Sequence, residues 1–234
     1  YIADGHHRYQ TMLTYRNRMR RANPEAPAAA PWEYIMMFLV NSRHEGLTIL
    51  PTHRMLYNLW IEDPYEVVLS LMDHFHIRKY PFTPETEAEA RRLWLRDLTN
   101  RDDAEHRIGA RIINNNSYYL ATLKDAEAYE EMVDLDFSSE WKRLDVNILN
   151  NVILKRTLGF TEEQLNRQEN IAYTKDMDEA LREVQEGRKE VALILNGTRL
   201  EDVITIADNG EKMPRKSTHF YPKPLSGLLF YPME

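Results

Sequence analysis

The sequence contains no cysteine and no hydrophobic run long enough to cross a membrane. The missing thiols exclude disulfides, a thiolate metal site and a cysteine nucleophile. The longest apolar run, residues 34–40, is far shorter than the ~20 residues that a transmembrane helix needs. No signal peptide can be recognised either. We therefore predict a cytoplasmic location and no membrane partner.

Acidic residues outnumber basic ones overall, but positive charge is concentrated at the start of the chain. The 234 residues carry a formal net charge of −7, which makes a nucleic-acid partner unlikely on electrostatic grounds. Residues 1–21 nevertheless hold five arginines and a single acid, Asp4. This basic end suits an anionic ligand or the acidic surface of another segment. The alternative is a solvated, arginine-rich helix face.

Helix-like and strand-like patterns alternate along the chain and predict an α+β (mixed α/β) fold, with mixed sheets flanked by helices. The segment Asn114–Asn116 joins two strand-like segments and predicts an antiparallel hairpin, because asparagine tolerates left-handed turns. The apolar run 34–40 predicts a buried strand. Further helices are predicted at 5–22, 63–75, 83–98, 125–132, 143–157, 176–186 and 201–207. Further strands are predicted at 47–51, 77–80, 171–174, 190–195, 218–221 and 228–231.

The opening segment Asp4-Gly5-His6-His7-Arg8 has the features of an anion site at a strand-to-helix turn. The first N–H groups of a helix lack partners and, with the helix dipole, attract phosphate or carboxylate. Gly5 lets the backbone approach the anion, while His6, His7 and Arg8 add donors. Asp4 could cap the helix, hold Mg²⁺ or accept a proton from an attacking hydroxyl. The alternative is a capped helix with two surface histidines.

Residues 3–9, with the letters ADGHHRY, resemble the phosphate-binding motif of the ParB/sulfiredoxin superfamily. Among its members, the free-serine kinases match the block 4–8 best. Together with the segments 49–54 and 210–223, the motif also makes the whole chain resemble the domain of unknown function 1015 family. The superfamily likeness is confined to the first part of the chain.

The superfamily resemblance implies a nucleotide- or phosphate-binding enzyme, either a small-molecule kinase like the free-serine kinases or a nucleotide hydrolase. It implies Mg²⁺ and a nucleoside di- or triphosphate as cofactors, Asp4 as metal ligand, and Asp4 and His7 as catalytic residues. Sulfiredoxin chemistry is excluded because the required cysteine is missing. No basic recognition helix follows Pro31, which disfavours a ParB-like DNA function. The alternative is a non-catalytic ligand sensor or interaction module.

The resemblance also implies a domain division. Residues 1–45 are expected to be the C-terminal remnant of a ParB/sulfiredoxin-like domain, and residues 46–234 an α+β domain. In the kinases a catalytic acidic residue lies upstream of the motif, in a segment that this sequence does not contain. We therefore expect a missing N-terminal segment of the same protein as a partner, beside a small-molecule substrate. Whether the chain forms an oligomer is left open.

Two later clusters could supply further anion contacts. Thr52, His53 and Arg54 follow a strand that ends at Pro51, so their donors are expected at the mouth of a sheet. The alternative there is an ordinary strand-to-helix cap.

The second cluster lies in the tail, where no acid occurs between Glu211 and Glu234. Lys216 and Lys223 could neutralise phosphate charge, and Ser217 and Thr218 could bind oxygens or a metal. The alternative is a basic surface loop. The functional interpretation predicts that the tail folds back on the opening motif, so that the three clusters line one pocket.

Overall fold

The computed structural model describes residues 1–44, 46–59, 63–102, 104–225 and 227–232. The chain forms two compact units. The smaller unit comprises Tyr1–Thr48 and Phe220–Glu234, and the larger unit comprises Ile49–His219. In the described residues, no helix is both long enough and apolar enough to span a bilayer.

Helices and strands are interleaved along the chain, as the sequence predicts. The helices are α1 (His6–Ala22), α2 (Glu66–Leu71), α3 (Glu87–Thr99), α4 (Ala126–Met132), α5 (Ser139–Lys142), α6 (Asp145–Ile148), α7 (Glu162–Arg167), α8 (Met177–Gln185) and α9 (Leu200–Asp208). The strands are β1 (Thr48–Leu50), β2 (His53–Leu56), β3 (Phe75–Pro81), β4 (Arg107–Ile112), β5 (Ser117–Leu123), β6 (Ile171–Thr174), β7 (Val191–Ile194) and β8 (His219–Tyr221). A 3₁₀ turn spans Pro31–Glu33 and a π-helix spans Leu149–Thr157.

The smaller unit is built around α1, which has no buried residue. An ion pair between Arg20 and Glu33, 2.5 Å between Nη2 and Oε2, joins the end of α1 to the 3₁₀ turn. The hydroxyl of Tyr231 donates to the carbonyl of Pro31 at 3.0 Å, so the tail also contacts this turn. Such contacts between exposed polar groups contribute little to stability.

The predicted strands at 34–40 and 228–231 are wrong: the described residues there form no strand. Leu39 is 85% exposed and Phe230 is 86% exposed. Both segments have strand-like composition, but a strand also needs a hydrogen-bonding neighbour and a covered face. Neither condition is met within the described residues of the smaller unit.

The larger unit contains a six-stranded sheet with the order β3-β5-β4-β7-β2-β6, and every neighbouring pair is antiparallel. The predicted hairpin is present as β4 and β5, with Arg107 opposite Thr122. Asn114 in its turn has φ 54°, a left-handed conformation that asparagine tolerates better than most residues. The predicted α+β class is therefore confirmed.

Both faces of the six-stranded sheet are covered, and β7 shows the alternation. Its Val191 and Leu193 belong to a cluster with the π-helix, whereas Ala192 and Ile194 belong to a cluster with α3 and α8. The second cluster centres on Trp94, whose Nε1 donates to the carbonyl of Tyr119 at 2.8 Å. This two-sided burial makes the larger unit the hydrophobic core of the chain.

The ends of several helices follow capping rules. Asp125 and Asp176 accept hydrogen bonds from the first N–H groups of α4 and α8, and Thr161 forms a capping box with Gln164 in α7. The predicted helix 143–157 is present in two parts, α6 and the π-helix. The predictions 125–132 and 176–186 lie close to the observed bounds of α4 and α8, whereas α2 is shorter than the predicted 63–75, and α5 and α7 were not predicted.

Candidate functional site

The opening motif of the smaller unit leaves the start of α1 open to an anion. Gly5 is the N-cap residue of the helix, with φ 78°, and has no side chain to cap the first N–H groups. The first turn contains no acid, and His6, His7 and Arg8 are exposed there. A Cβ at Gly5 would approach Arg8 Nη2 to 3.1 Å, so a larger residue would strain the turn and displace the guanidinium. Asp4 precedes this N-cap residue and accepts the Gly5 N–H.

Asp4 also forms an ion pair with Lys223 from the tail of the same unit, with 2.9 Å between Oδ2 and Nζ. The Lys223 hydrogen bond lowers the pKa of Asp4, and the Gly5 N–H and the charges of Lys223 and Arg8 lower it further, against an opposing effect of burial. Asp4 is thus held as a carboxylate. Two of the predicted site residues, Asp4 and Lys223, lie together.

The second group of predicted residues lies in the larger unit, around Arg54. Arg54 is 1% exposed and belongs to β2, between β7 and β6. Its guanidinium donates to the carbonyls of Thr52 and, at 3.2 Å, Lys216, while Nε has no partner. The guanidinium carbon lies 5.6 Å from the ring centroid of Tyr173, which is opposite Arg54 on β6. No described carboxylate forms an ion pair with it.

Burial lowers the pKa of Arg54 to about 10, and Tyr173 opposes that shift. Arg54 therefore stays protonated at neutral pH, so β2 carries a buried positive charge. A second buried arginine, Arg111, also donates to backbone carbonyls. Burial lowers the pKa of Arg111 as well, but there the charge of Glu87 opposes the shift. Arg54 is thus the less compensated of the two cations.

Lys216 adds a second cation beside the same ring. Its Nζ lies 5.5 Å from the Tyr173 centroid, on a residue with φ 57°. The following Ser217 is buried; its hydroxyl donates to Pro214 and its carbonyl accepts from the Thr198 hydroxyl. These bonds hold the tail turn in place, and the half-buried Thr218 leads from it into β8. Arg54 and Lys216 are the second pair of predicted residues that lie together.

His53 is buried in the same strand and is held neutral. Its Nδ1 accepts the N–H of Leu195 at 3.2 Å. Burial lowers the pKa of His53 to about 4; the charge of Arg54 lowers it further and Asp176 opposes the shift. A neutral ring whose Nδ1 accepts must carry its hydrogen on Nε2. His53 thus has one remaining N–H donor for a ligand.

Tyr173, Leu195 and Thr198 were not predicted from the sequence, although Tyr173 lies in a correctly predicted strand. The sequence shows which residues form a strand, but the partner of each residue depends on strand order. Arg54 and Tyr173 become neighbours through a pairing between residues far apart in the chain.

A metal ion would find few ligands in the predicted site. Within the described ranges, no group of three or more His, Cys, Asp or Glu residues is placed to hold a metal. Asp4 offers a single carboxylate, and Mg²⁺ commonly binds through one or two carboxylates together with substrate phosphates. The chain's own residues would therefore hold Mg²⁺ only together with the phosphate oxygens of a ligand.

Comparison with known families gives a match at residues 1–147, which is more than half of the chain. The matching family is described as a protein of unknown function, DUF1015. The chain belongs to the DUF1015 family. The resemblance predicted from the three sequence segments is thereby confirmed. No curated protein sequence matches this DUF1015 chain.

Three solved structures resemble the DUF1015 chain at 14% identity. The first is a free serine kinase in complex with AMP, with a TM-score of 0.39; the match covers 77% of this chain and 56% of that chain. The second is a conserved hypothetical protein from Pyrococcus furiosus, with a TM-score of 0.43 and a match over 94% of this chain and 68% of that chain. The third is a free serine kinase variant in complex with ADP, with a TM-score of 0.41 and a match over 94% of this chain and 66% of that chain. The chain thus spans little more than half the length of the first of these structures.

Proposed function

We propose that this DUF1015 chain binds a phosphate-bearing small molecule. The observation that carries the proposal is Arg54, a buried guanidinium without a carboxylate partner among the described residues. Removing a charge from water costs several kcal/mol unless another charge or hydrogen bonds compensate it. Lys216 adds positive charge across the ring of Tyr173. A bound phosphate would supply the missing negative charge.

We further propose that the ligand is a nucleoside di- or triphosphate, and that the reaction is phosphoryl transfer to a small hydroxyl compound or nucleotide hydrolysis. The residue pattern 4–8, with its likeness to the ParB/sulfiredoxin superfamily, supports this finer assignment. Catalysis of this type consists mainly of positioning and charge neutralisation. His6, His7 and Arg8 would hold phosphate oxygens at the start of α1. Asp4 would orient Mg²⁺ or the attacking hydroxyl, assisted by His7.

A second candidate function is ligand sensing without turnover. The ion pair between Asp4 and Lys223 favours it, because a carboxylate that is paired with a lysine is less available to a metal or a proton. In this alternative, Lys223 neutralises the proposed catalytic group while the anion donors remain. The two candidates differ in whether the bound nucleotide reacts.

The exposed apolar segments 34–40 and 228–231 support the proposal that further polypeptide of the same protein packs on the smaller unit. Single exposed apolar residues are common, but a contiguous apolar surface usually marks an interaction site. Segment 34–40 holds a run of neighbouring exposed apolar side chains, from Met36 to Val40. A cytoplasmic location and the division at residue 45 remain predictions, and an oligomer stays an open possibility.

Calorimetric titration with ATP, ADP, CTP and inorganic phosphate, each with and without Mg²⁺, tests binding. We expect Lys216→Gln to weaken nucleotide affinity by about tenfold, since one charge-assisted contact contributes ~1.4 kcal/mol. Lys212→Gln is the matched control, because Lys212 is an exposed lysine of the same segment. The proposal is wrong if none of the four ligands binds, or if the two variants bind equally.

A phosphate-release and transfer assay, with free serine among the acceptors, tests the reaction. We expect Asp4→Asn and Arg8→Gln each to reduce turnover by at least tenfold. Turnover that is unchanged in both variants would exclude the proposed catalytic role. Nucleotide binding without turnover would support the sensor function instead.

A further inference from the structure

The larger unit contains a cavity with a volume of about 180 Å³, which shares Leu195, Thr198 and Ser217 with the surroundings of His53 and Lys216. Residues that precede β4 and begin α6 line one side, and the loop from Leu195 to Arg199 lines another. Ser217 also borders it. At ~30 Å³ for each water in the liquid, the volume corresponds to about six water molecules. The cavity is large enough for a small polar molecule.

One wall of this cavity carries an aspartate–histidine pair. Nδ1 of His106 lies 2.9 Å from Oδ1 of Asp145, and Arg101 Nη1 lies 2.9 Å from Oδ2 of the same carboxylate. The side chains of His106 and Asp145 are 12% and 10% exposed. An ionised carboxylate only accepts hydrogen bonds, so Nδ1 must carry the hydrogen. In a ring whose single hydrogen is on Nδ1, Nε2 is a hydrogen-bond acceptor.

The charges that line the cavity balance one another. Three arginines and three acids border it: Arg101, Arg143, Arg199, Glu140, Asp145 and Asp202. Arg199 pairs with Asp202 at 3.0 Å, and Arg143 pairs with Glu130 outside the lining. The arginine charges are therefore compensated, unlike that of Arg54. This lining favours an uncharged polar molecule over a phosphate.

We propose that this cavity binds a small uncharged molecule that carries hydroxyl groups, and that one of its hydroxyls donates a hydrogen bond to Nε2 of His106. Asp145 is the positioning residue, because it fixes the ring and places the hydrogen on Nδ1. Arg101 holds the carboxylate in turn. The cavity shares Leu195 and Ser217 with the surroundings of Arg54, but the proposed hydrogen bond to His106 requires no anion at Arg54.

The first test is the tautomer of His106, measured by long-range ¹H–¹⁵N NMR on the labelled full chain at neutral pH. We expect the hydrogen on Nδ1 in the wild type, and loss of this single tautomer in Asp145→Asn. The control Asp134→Asn changes an exposed aspartate and should leave the spectrum unchanged. A hydrogen on Nε2 in the wild type would overturn the proposal without reference to any variant.

The second test uses glycerol as the probe and 1,2-dimethoxyethane as its control, because the control has the same number of heavy atoms but no hydroxyl. We expect glycerol to shift the Nε2 resonance of His106 saturably, and the control to leave it unchanged. The other histidines should not respond to either compound. An equal response to both compounds, or no saturable response to glycerol, would contradict hydroxyl recognition at His106.

Discussion

The two units of this chain differ most in how far their apolar side chains are buried. In the larger unit, a six-stranded sheet is covered on both faces, and Trp94 and Leu56 are completely buried. In the smaller unit, Ala30 and Phe220 are the buried residues among those described, whereas Phe38 is 70% exposed. Hydrophobic burial therefore stabilises the larger unit by itself, and gives the smaller unit little comparable stabilisation.

The largest effect should come from substitutions that test this difference directly. Trp94→Ala should lower the free energy of unfolding by about 4 kcal/mol, as expected for a large side chain removed from a packed core. Phe38→Ala should change it by less than about 0.5 kcal/mol, because an exposed side chain has little packing to lose. Urea unfolding followed by circular dichroism measures both. A loss for Phe38→Ala as large as that for Trp94→Ala would contradict the contrast.

The next effect concerns pH and the buried His53. Its pKa is lowered from 6.5 to about 4, so between these values the unfolded chain binds a proton that the folded chain does not. Stability should therefore fall as the pH falls from 6.5 to 4, by up to about 3 kcal/mol from this group alone. Unfolding of His53→Asn across this range should show a smaller pH dependence than the wild type. His76→Asn, at an exposed position, should retain the wild-type slope.

Substitution of Arg54 should show whether its charge binds a ligand or serves only the folded structure. At a hundredfold excess of ADP over its Kd, the wild type should gain about 2.7 kcal/mol of stability, and Arg54→Met should gain almost none. Arg111→Met is a matched control, since Arg111 is also buried, donates to backbone carbonyls and lies beside aromatic rings. Thermal melts with and without ADP provide the comparison. Equal ADP stabilisation in the Arg54 variant and the wild type would remove Arg54 from the ligand site.

The smallest effect should be in the smaller unit, at the ion pair between Asp4 and Lys223. The Asp4 side chain is 56% exposed, so solvent screens the pair. A double-mutant cycle with Asp4→Asn and Lys223→Gln should give a coupling energy below about 1 kcal/mol. A markedly larger value would show that this unit is stabilised by polar contacts instead of apolar burial.

The success of the sequence-based predictions follows the same division. In the larger unit the hairpin could be predicted, because three asparagines specify the turn between two strand-like segments. The strand predicted at 34–40 was wrong, because composition shows that a segment is apolar but not whether another segment covers it. Among the candidate site residues, Asp4 and Lys223 lie together, as do Arg54 and Lys216. The contacts of Arg54 and Lys216 with Tyr173, and of His53 with Leu195, depend on strand order, which a local sequence pattern does not reveal.

Gly109 has a consequence for comparing relatives within the DUF1015 family. A Cβ at this position would lie 3.1 Å from Cε2 of Trp94, and closer still to Cζ2. The two positions should therefore covary: a relative with a side chain at position 109 should carry a smaller residue at position 94. In an alignment, glycine paired with tryptophan at these two columns would identify chains that share this packing of α3 on the sheet.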